Sequence, residues 1–205
     1  MVYIPKSINK TKLSRSLDYT RSREFIKAVQ QVVRNRFSII KRNLINEFES
    51  HPVTVEISGG VNAKNSSGTL GGKGNLFRFI GFEAGSDPIS PISQELSRID
   101  MTMTRVKKDG TSHTNVLYPS ADDIFQITPL PWANQRSWAQ GIEKGISNLG
   151  QFLNIKSEHS RAGAGIQAPN INTGSSFQPV PYITLLIKNF EKEIINLSRA
   201  KITMT

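Results

Sequence analysis

The sequence contains no cysteine, which excludes disulfides, thiolate nucleophiles and cysteine-ligated zinc or iron–sulfur centres. Histidine is scarce too. His51, His113 and His159 form no HxH or HxxxH pair, so a metal site would have to be gathered wholly through tertiary contacts. Asp122-Asp123 is the only adjacent acidic pair; neighbours on one element do not converge on one substrate, and the pair reads as a helix cap or turn. No serine lies in a nucleophile-elbow pattern. These absences predict a protein that is not an enzyme, with no catalytic residue, no metal and no cofactor. No apolar run approaches the roughly 18 residues of a membrane helix, and the opening MVYIPKSINKTKLSRS lacks the apolar core of a signal peptide. The expectation is a chain with no membrane partner, acting in the cytoplasm or in a particle assembled there.

What is present fits one domain with extended arms. The chain has 205 residues, 37% hydrophobic and 20% charged, which argues against wholesale disorder, while 15 Gly and 10 Pro predict long loops. The formal charge of +10 is unevenly spread: residues 1–50 carry eleven basic and four acidic residues, and the remainder fifteen against twelve. The excess is therefore N-terminal, where a polyanion or an acidic protein surface is the expected partner.

Residues 1–17 read as a basic arm, 18–198 as a single α+β domain and 199–205 as a tail. From Arg21 to Phe48, apolar residues at Phe25, Ile26, Val29, Val32, Val33, Phe37, Ile40, Leu44 and Phe48 recur at three and four residues without Gly or Pro, which predicts a helix ended by His51-Pro52. At about 40 Å it is longer than a domain of this size needs, so part of it is expected to serve a neighbouring subunit. Val53, Val55 and Ile57 alternate with polar residues as in a strand. Six glycines within residues 59–75 exclude a long regular element there. LFRFIGF, residues 76–82, reads as a strand, and Ser90-Pro91 as the start of a short helix capped by the serine. Ile99, Met101 and Met103 alternate toward an Asp109-Gly110 hairpin turn whose return strand is 113–118. Ser137 to Gln140 is a capping box opening a helix to about residue 153. A last helix carries Tyr182, Leu185, Leu186, Phe190, Ile194 and Leu197. The expected fold class is α+β: a small, mostly antiparallel sheet flanked by a long N-terminal helix and a C-terminal helix, with long Gly-rich assembly loops.

Gly68, Gly71, Gly72, Lys73 and Gly74 invite a phosphate-loop reading, which fails. The motif would need glycine at 67 and a hydroxyl at 74, where Ser67 and Gly74 stand. A following strand, as expected here, would also offer no helix N-terminus. These residues are instead a candidate assembly loop. Between Arg21 and Arg42 seven basic residues face one acid, Glu24. Arg34, Arg36, Lys41 and Arg42 are the candidate contacts to a polyanion or an acidic partner, without sequence reading. Trp138, Ile142, Tyr182, Leu186 and Phe190 are the expected helix-docking residues.

GTLGGKGNLFRFIGF at 68–82, SWAQGIEKGISNLGQFL at 137–153 with SRAGAGIQ at 160–167, and FQPVPYITLLIKNFEKEI at 177–194 together resemble the neck or tail-completion proteins of tailed bacteriophages. The resemblance covers most of residues 18–198. It implies a structural virion protein in a homomeric, hexameric ring. Its partners would be the head connector or adaptor and the tail-terminator or tail-tube proteins, around a channel in which DNA could be touched nonspecifically. The family offers no catalytic residue to carry over. The chain departs from shorter members in its basic arm and in the long insertions at 59–75 and 154–176. A tail-terminator or baseplate subunit would use similar materials. The charge alone supports a third reading, a nonspecific DNA-binding protein using helix 21–42.

Overall fold

The computed structural model describes residues 23–72, 74–103, 114–145 and 177–199. Helix α1, Arg23–Ser50, is the longest element, as its unbroken apolar spacing requires. It stops at His51-Pro52, but the same dipeptide starts a second helix, α2, Pro52–Ser58. His51 is its N-cap: the ring Nδ1 accepts from the Val53 amide at 3.3 Å, and proline occupies the first turn, where its missing N–H costs nothing. The expected strand at 53–57 is therefore a helix. Val53, Thr54, Glu56 and Ile57 face inward and Val55 is 50% exposed, a spacing of one, two and one that fits a helical face.

After a 3₁₀ turn at Gly60–Asn62 the chain runs through the glycine-rich loop into α3, Leu76–Ile80. This too replaces an expected strand. Asn75 caps it by accepting from the Arg78 amide at 2.9 Å, and Gly81, at φ 91°, closes it in the left-handed region. The Gly81 amide bonds back to Arg78 and the Phe82 amide to Phe77, the pattern of a Schellman ending. Helix α4 spans Ser90–Ser97. Its cap position is Ile89 rather than Ser90, and the side chain serving its first amides is that of Asp87, which accepts from Ile89 and Ser90.

Strands β1, Asp100–Met103, and β2, Thr114–Leu117, pair antiparallel with Asp100 opposite Leu117, as alternation predicted; their turn at 109–110 lies outside the described residues. Helix α5, Ala121–Gln126, starts with a capping box between Ser120 and Asp123, so one member of the acidic pair is part of the cap and Asp122 lies in the same first turn. A second antiparallel pair, β3 at Pro129–Leu130 and β4 at Ala133–Ser137, leads into α6, Trp138–Lys144. Ser137 accepts from the Gln140 amide at 3.0 Å. Gly145, at φ 90°, is not helical, which corrects the expected continuation of this helix through 145; residues 146–153 lie outside the described residues. The last helix, α7, is Ile183–Arg199.

The fold is thus α+β, a long N-terminal helix and a C-terminal helix with small antiparallel two-stranded sheets between them. Among the described residues the expected single sheet is instead two separate antiparallel strand pairs. The core lies where α1 and α7 meet α2, α3, α4 and α6, and its largest fully buried side chains include Phe48, Phe77, Trp138 and Tyr182.

Candidate functional site

The glycine-rich loop is built around one buried carboxylate. Glu56 is 1% exposed, because the helical path of α2 turns it toward the loop. Its Oε1 accepts from the Leu76 amide at 2.7 Å and the Asn65 Nδ2 at 2.9 Å. Its Oε2 accepts from the Ser67 amide at 2.9 Å and again from Asn65 at 3.1 Å. Asn65 in turn accepts at Oδ1 from the amides of Leu70 and Gly72. Gly71 and Gly72, at φ 58° and 81°, let the backbone double back onto that oxygen. A phosphate loop would use such amides for a ligand; here the protein's own carboxylate holds them. The expectation that a strand follows the loop is overturned by α3, yet the first amide of that helix is already bonded to Glu56. Gly68, Gly71, Gly72 and Gly74 all have positive φ and are exposed, while Lys73 lies outside the described residues.

The basic face of α1 divides on inspection. Lys41 Nζ donates to the carbonyls of Ser97 and Ile99, both at 2.7 Å. It closes the C-terminal end of α4, a position that favours a cation, so as a polyanion contact it is already engaged by the protein. Arg34, Arg36 and Arg42 are exposed. At about 100° per residue they point in three directions around the helix, as their spacing predicts. Arg36 borders an open groove of about 290 Å³ with Ile39, Ile40, Glu193, Asn196 and Leu197.

The docking residues meet. Trp138, Ile142, Tyr182, Leu186 and Phe190 are all buried, at 3% exposure or less. Trp138 lies edge-on to Phe82 with ring centres 5.8 Å apart, and 6.3 Å from Tyr182. The buried set of α7 is Ile183, Leu186, Ile187 and Phe190; Leu185, expected in the stripe, is 44% exposed, because it lies about 100° around the helix from Leu186. The Tyr182 hydroxyl and Thr54 Oγ1 share a hydrogen bond of 2.8 Å, and burial pushes the phenol's pKa up. His51 stacks obliquely on the same ring at 4.8 Å. Burial lowers its pKa against the opposing effects of a hydrogen bond to the Pro181 backbone and of Glu47 nearby. Pro181 has no N–H, so its carbonyl accepts from the imidazole. This joint of α1, α2 and α7 has no counterpart in the sequence reading, although His51-Pro52 marked its place.

Among the described residues no three His, Asp or Glu side chains gather as a metal site; His113 and His159 lie outside them. None of the described helices is long and apolar enough to cross a membrane. No protein-family model, curated protein or solved structure matches the chain.

Proposed function

We propose that the chain is a structural virion subunit, one copy in a homomeric ring at the neck of a tailed bacteriophage. The ring completes the tail end and fastens it to the head connector, leaving a channel for DNA. The observation that carries this reading is a self-contained interior beside a 28-residue helix that bears exposed apolar side chains, Val32 and Ile39. The interior polar groups serve architecture: Glu56 orders a loop, Thr54 bonds Tyr182, and among the described residues no buried side-chain polar atom lacks a partner. Among the described residues helix α1 has 28 residues against 17 in α7, on which it packs. Surplus helix of that kind suits contact with a neighbour.

Two of the segments that carry the resemblance, 68–82 and 177–194, include α3 and most of α7, whose apolar side chains join the core, with the exposed glycines of the loop before α3. The decisive experiment is imaging of the native particle, with copy number and axial position determined together. The expected result is a ring at the head–tail junction whose neighbours touch through α1. A ring elsewhere on the axis would identify a tail terminator or baseplate subunit. A stable monomer in the particle, or a dimer clasping duplex DNA through residues 21–42, would overturn the reading.

A further inference from the structure

A single residue, His51, separates α1 from α2 and takes part in both. Its amide donates to the Phe48 carbonyl at 3.2 Å, at the end of α1, and its carbonyl accepts from the Val55 amide at 2.9 Å, in the first turn of α2. The ring is engaged at both nitrogens. Nδ1 accepts from the Val53 amide, so this nitrogen carries no proton. The hydrogen bond to the Pro181 carbonyl then requires the proton on Nε2. The joint therefore holds one neutral tautomer. Helix α2 has only seven residues, too few to be stable without its cap and its packing. It also carries the glycine-rich loop. Ser66 Oγ donates to the carbonyl of Pro52, in the capped turn, at 3.2 Å, and Glu56 one turn on holds Asn65, Ser67 and Leu76.

Among the described residues, titratable groups reach this ring from each element packed around it. Glu47 of α1, to which Asn189 of α7 donates at 3.1 Å, favours a second proton on the imidazole, as does the Pro181 carbonyl; burial disfavours it more. Tyr182 lies against the ring with its hydroxyl on Thr54 of α2, and Glu143 of α6, which accepts from the Thr184 amide at 2.7 Å, acts on that phenol. Glu56 of α2 is turned to the loop. A second proton would enter at Nδ1, where it would meet the Val53 N–H donor to donor. We propose that His51 is an acid-released latch: protonation of Nδ1 undoes the cap of α2, and α2 opens together with the glycine-rich loop as one local unit while α1 and α7 remain packed. Neither α1 nor α7 takes a hydrogen bond of its own helix from Nδ1, so the opening is confined to what the cap serves. A released ring titrates near about 6.5 and the latched ring lower, so the released form gains as pH falls below that value. Such a latch works in one chain, whether or not the chain assembles into a ring.

The test is amide hydrogen exchange of the full chain at about pH 7.5 and about pH 5, corrected at each pH for the intrinsic rate and repeated in low urea. Residues 53–58 and 65–72 are expected to open about tenfold more often at the lower pH with little dependence on urea, while α1 and α7 stay more protected. His51→Asn, with folding checked by circular dichroism, keeps a capping oxygen but no titrating ring and should remove the acid effect. Glu47→Gln keeps an acceptor for Asn189 and should move the midpoint of the effect to lower pH, a change that a merely structural role would not produce. In the unaltered chain, ring nitrogen chemical shifts should place the proton on Nε2 at neutral pH, a result that does not depend on any variant folding. A proton on Nδ1 at neutral pH overturns the proposal, as does an acid effect that survives in His51→Asn or a midpoint that Glu47→Gln leaves unmoved. So does exchange of α2 and the loop with the same opening frequency and urea slope as α1 and α7, which would mean global unfolding alone.

Discussion

Replacing Glu56 should loosen the glycine-rich loop and the start of α3 together. Three donors converge on the carboxylate: the amides of Ser67 and Leu76 and the Asn65 side chain, at 2.7 to 3.1 Å. In Glu56→Ala the two amides lose their acceptor and Asn65 Nδ2 keeps only its longer bond to Ser67 Oγ at 3.3 Å. Water can reach Ser67 and Asn65, which are half-buried, but less readily Leu76, which is fully buried. With an unmet buried donor costing about 1 to 3 kcal/mol and the exposed ones less, the expected loss is about 3 to 5 kcal/mol. Glu56→Gln keeps the shape but supplies one acceptor oxygen and turns an NH₂ toward donors, so it should cost about 2 kcal/mol. Urea unfolding gives the global figure, and hydrogen exchange of the amides in residues 59–76 tells whether the loop opens by itself. A Glu56→Gln protein within about 0.5 kcal/mol of the original, with loop protection unchanged, would refute the reasoning.

Phe190→Ala should cost about 3 to 5 kcal/mol, because the ring is buried edge-on to Tyr118; denaturant titration at fixed protein concentration checks it. Lys41→Met should cost about 1 to 3 kcal/mol by leaving the Ser97 and Ile99 carbonyls without their cation. It should leave affinity for duplex DNA unchanged, whereas Arg34→Gln/Arg42→Gln should weaken any such binding alike for unrelated sequences and leave stability within about 0.5 kcal/mol. For His51 the folded pKa lies below the unfolded value of about 6.5, so the folded chain resists a proton that the unfolded chain takes up. Its stability contribution should be complete above about pH 6.5 and disappear as pH falls through the lower folded value. Unfolding free energy measured across that window should lose part of its slope in His51→Asn, which keeps a capping oxygen but not the ionisable ring.

The long elements were legible because their pattern is redundant. Residues 23–50 repeat one spacing over many turns, and the C-terminal helix does so over fewer, so a single misfit such as Leu185 does not disturb the assignment. Short apolar runs carry no such redundancy. Val53-Thr-Val-Glu-Ile57 satisfies a strand by alternation and a helix by its inward set of Val53, Thr54, Glu56 and Ile57. LFRFI satisfies both as well. The deciding signals lay outside the runs: His51-Pro52 both ends α1 and caps α2, while Asn75 and Gly81 bracket α3. A proline read only as a stop hides the helix it begins.

The site followed from the same ambiguity. On a strand, Glu56 would point to solvent opposite Val55 and Ile57; on a helix it turns inward, and only then can it gather the loop. Ordering a glycine-rich loop costs about 1 to 2 kcal/mol per residue in backbone entropy, which made a partner the natural expectation for residues 59–75. Glu56 and Asn65 offset part of that cost within a single chain, through carboxylate and amide bonds that tie the loop to α2 and α3. Assembly therefore has less to gain from ordering this loop than its composition predicts. Exposed apolar side chains among the described residues lie elsewhere, and two of them, Val32 and Ile39, are on α1. If the chain builds a ring whose neighbours touch through α1, hydrogen exchange on assembly should protect residues around Val32 and Ile39 far more than residues 59–72. The reverse ordering of protection would return the glycine loop to the interface and remove this face of α1 from it.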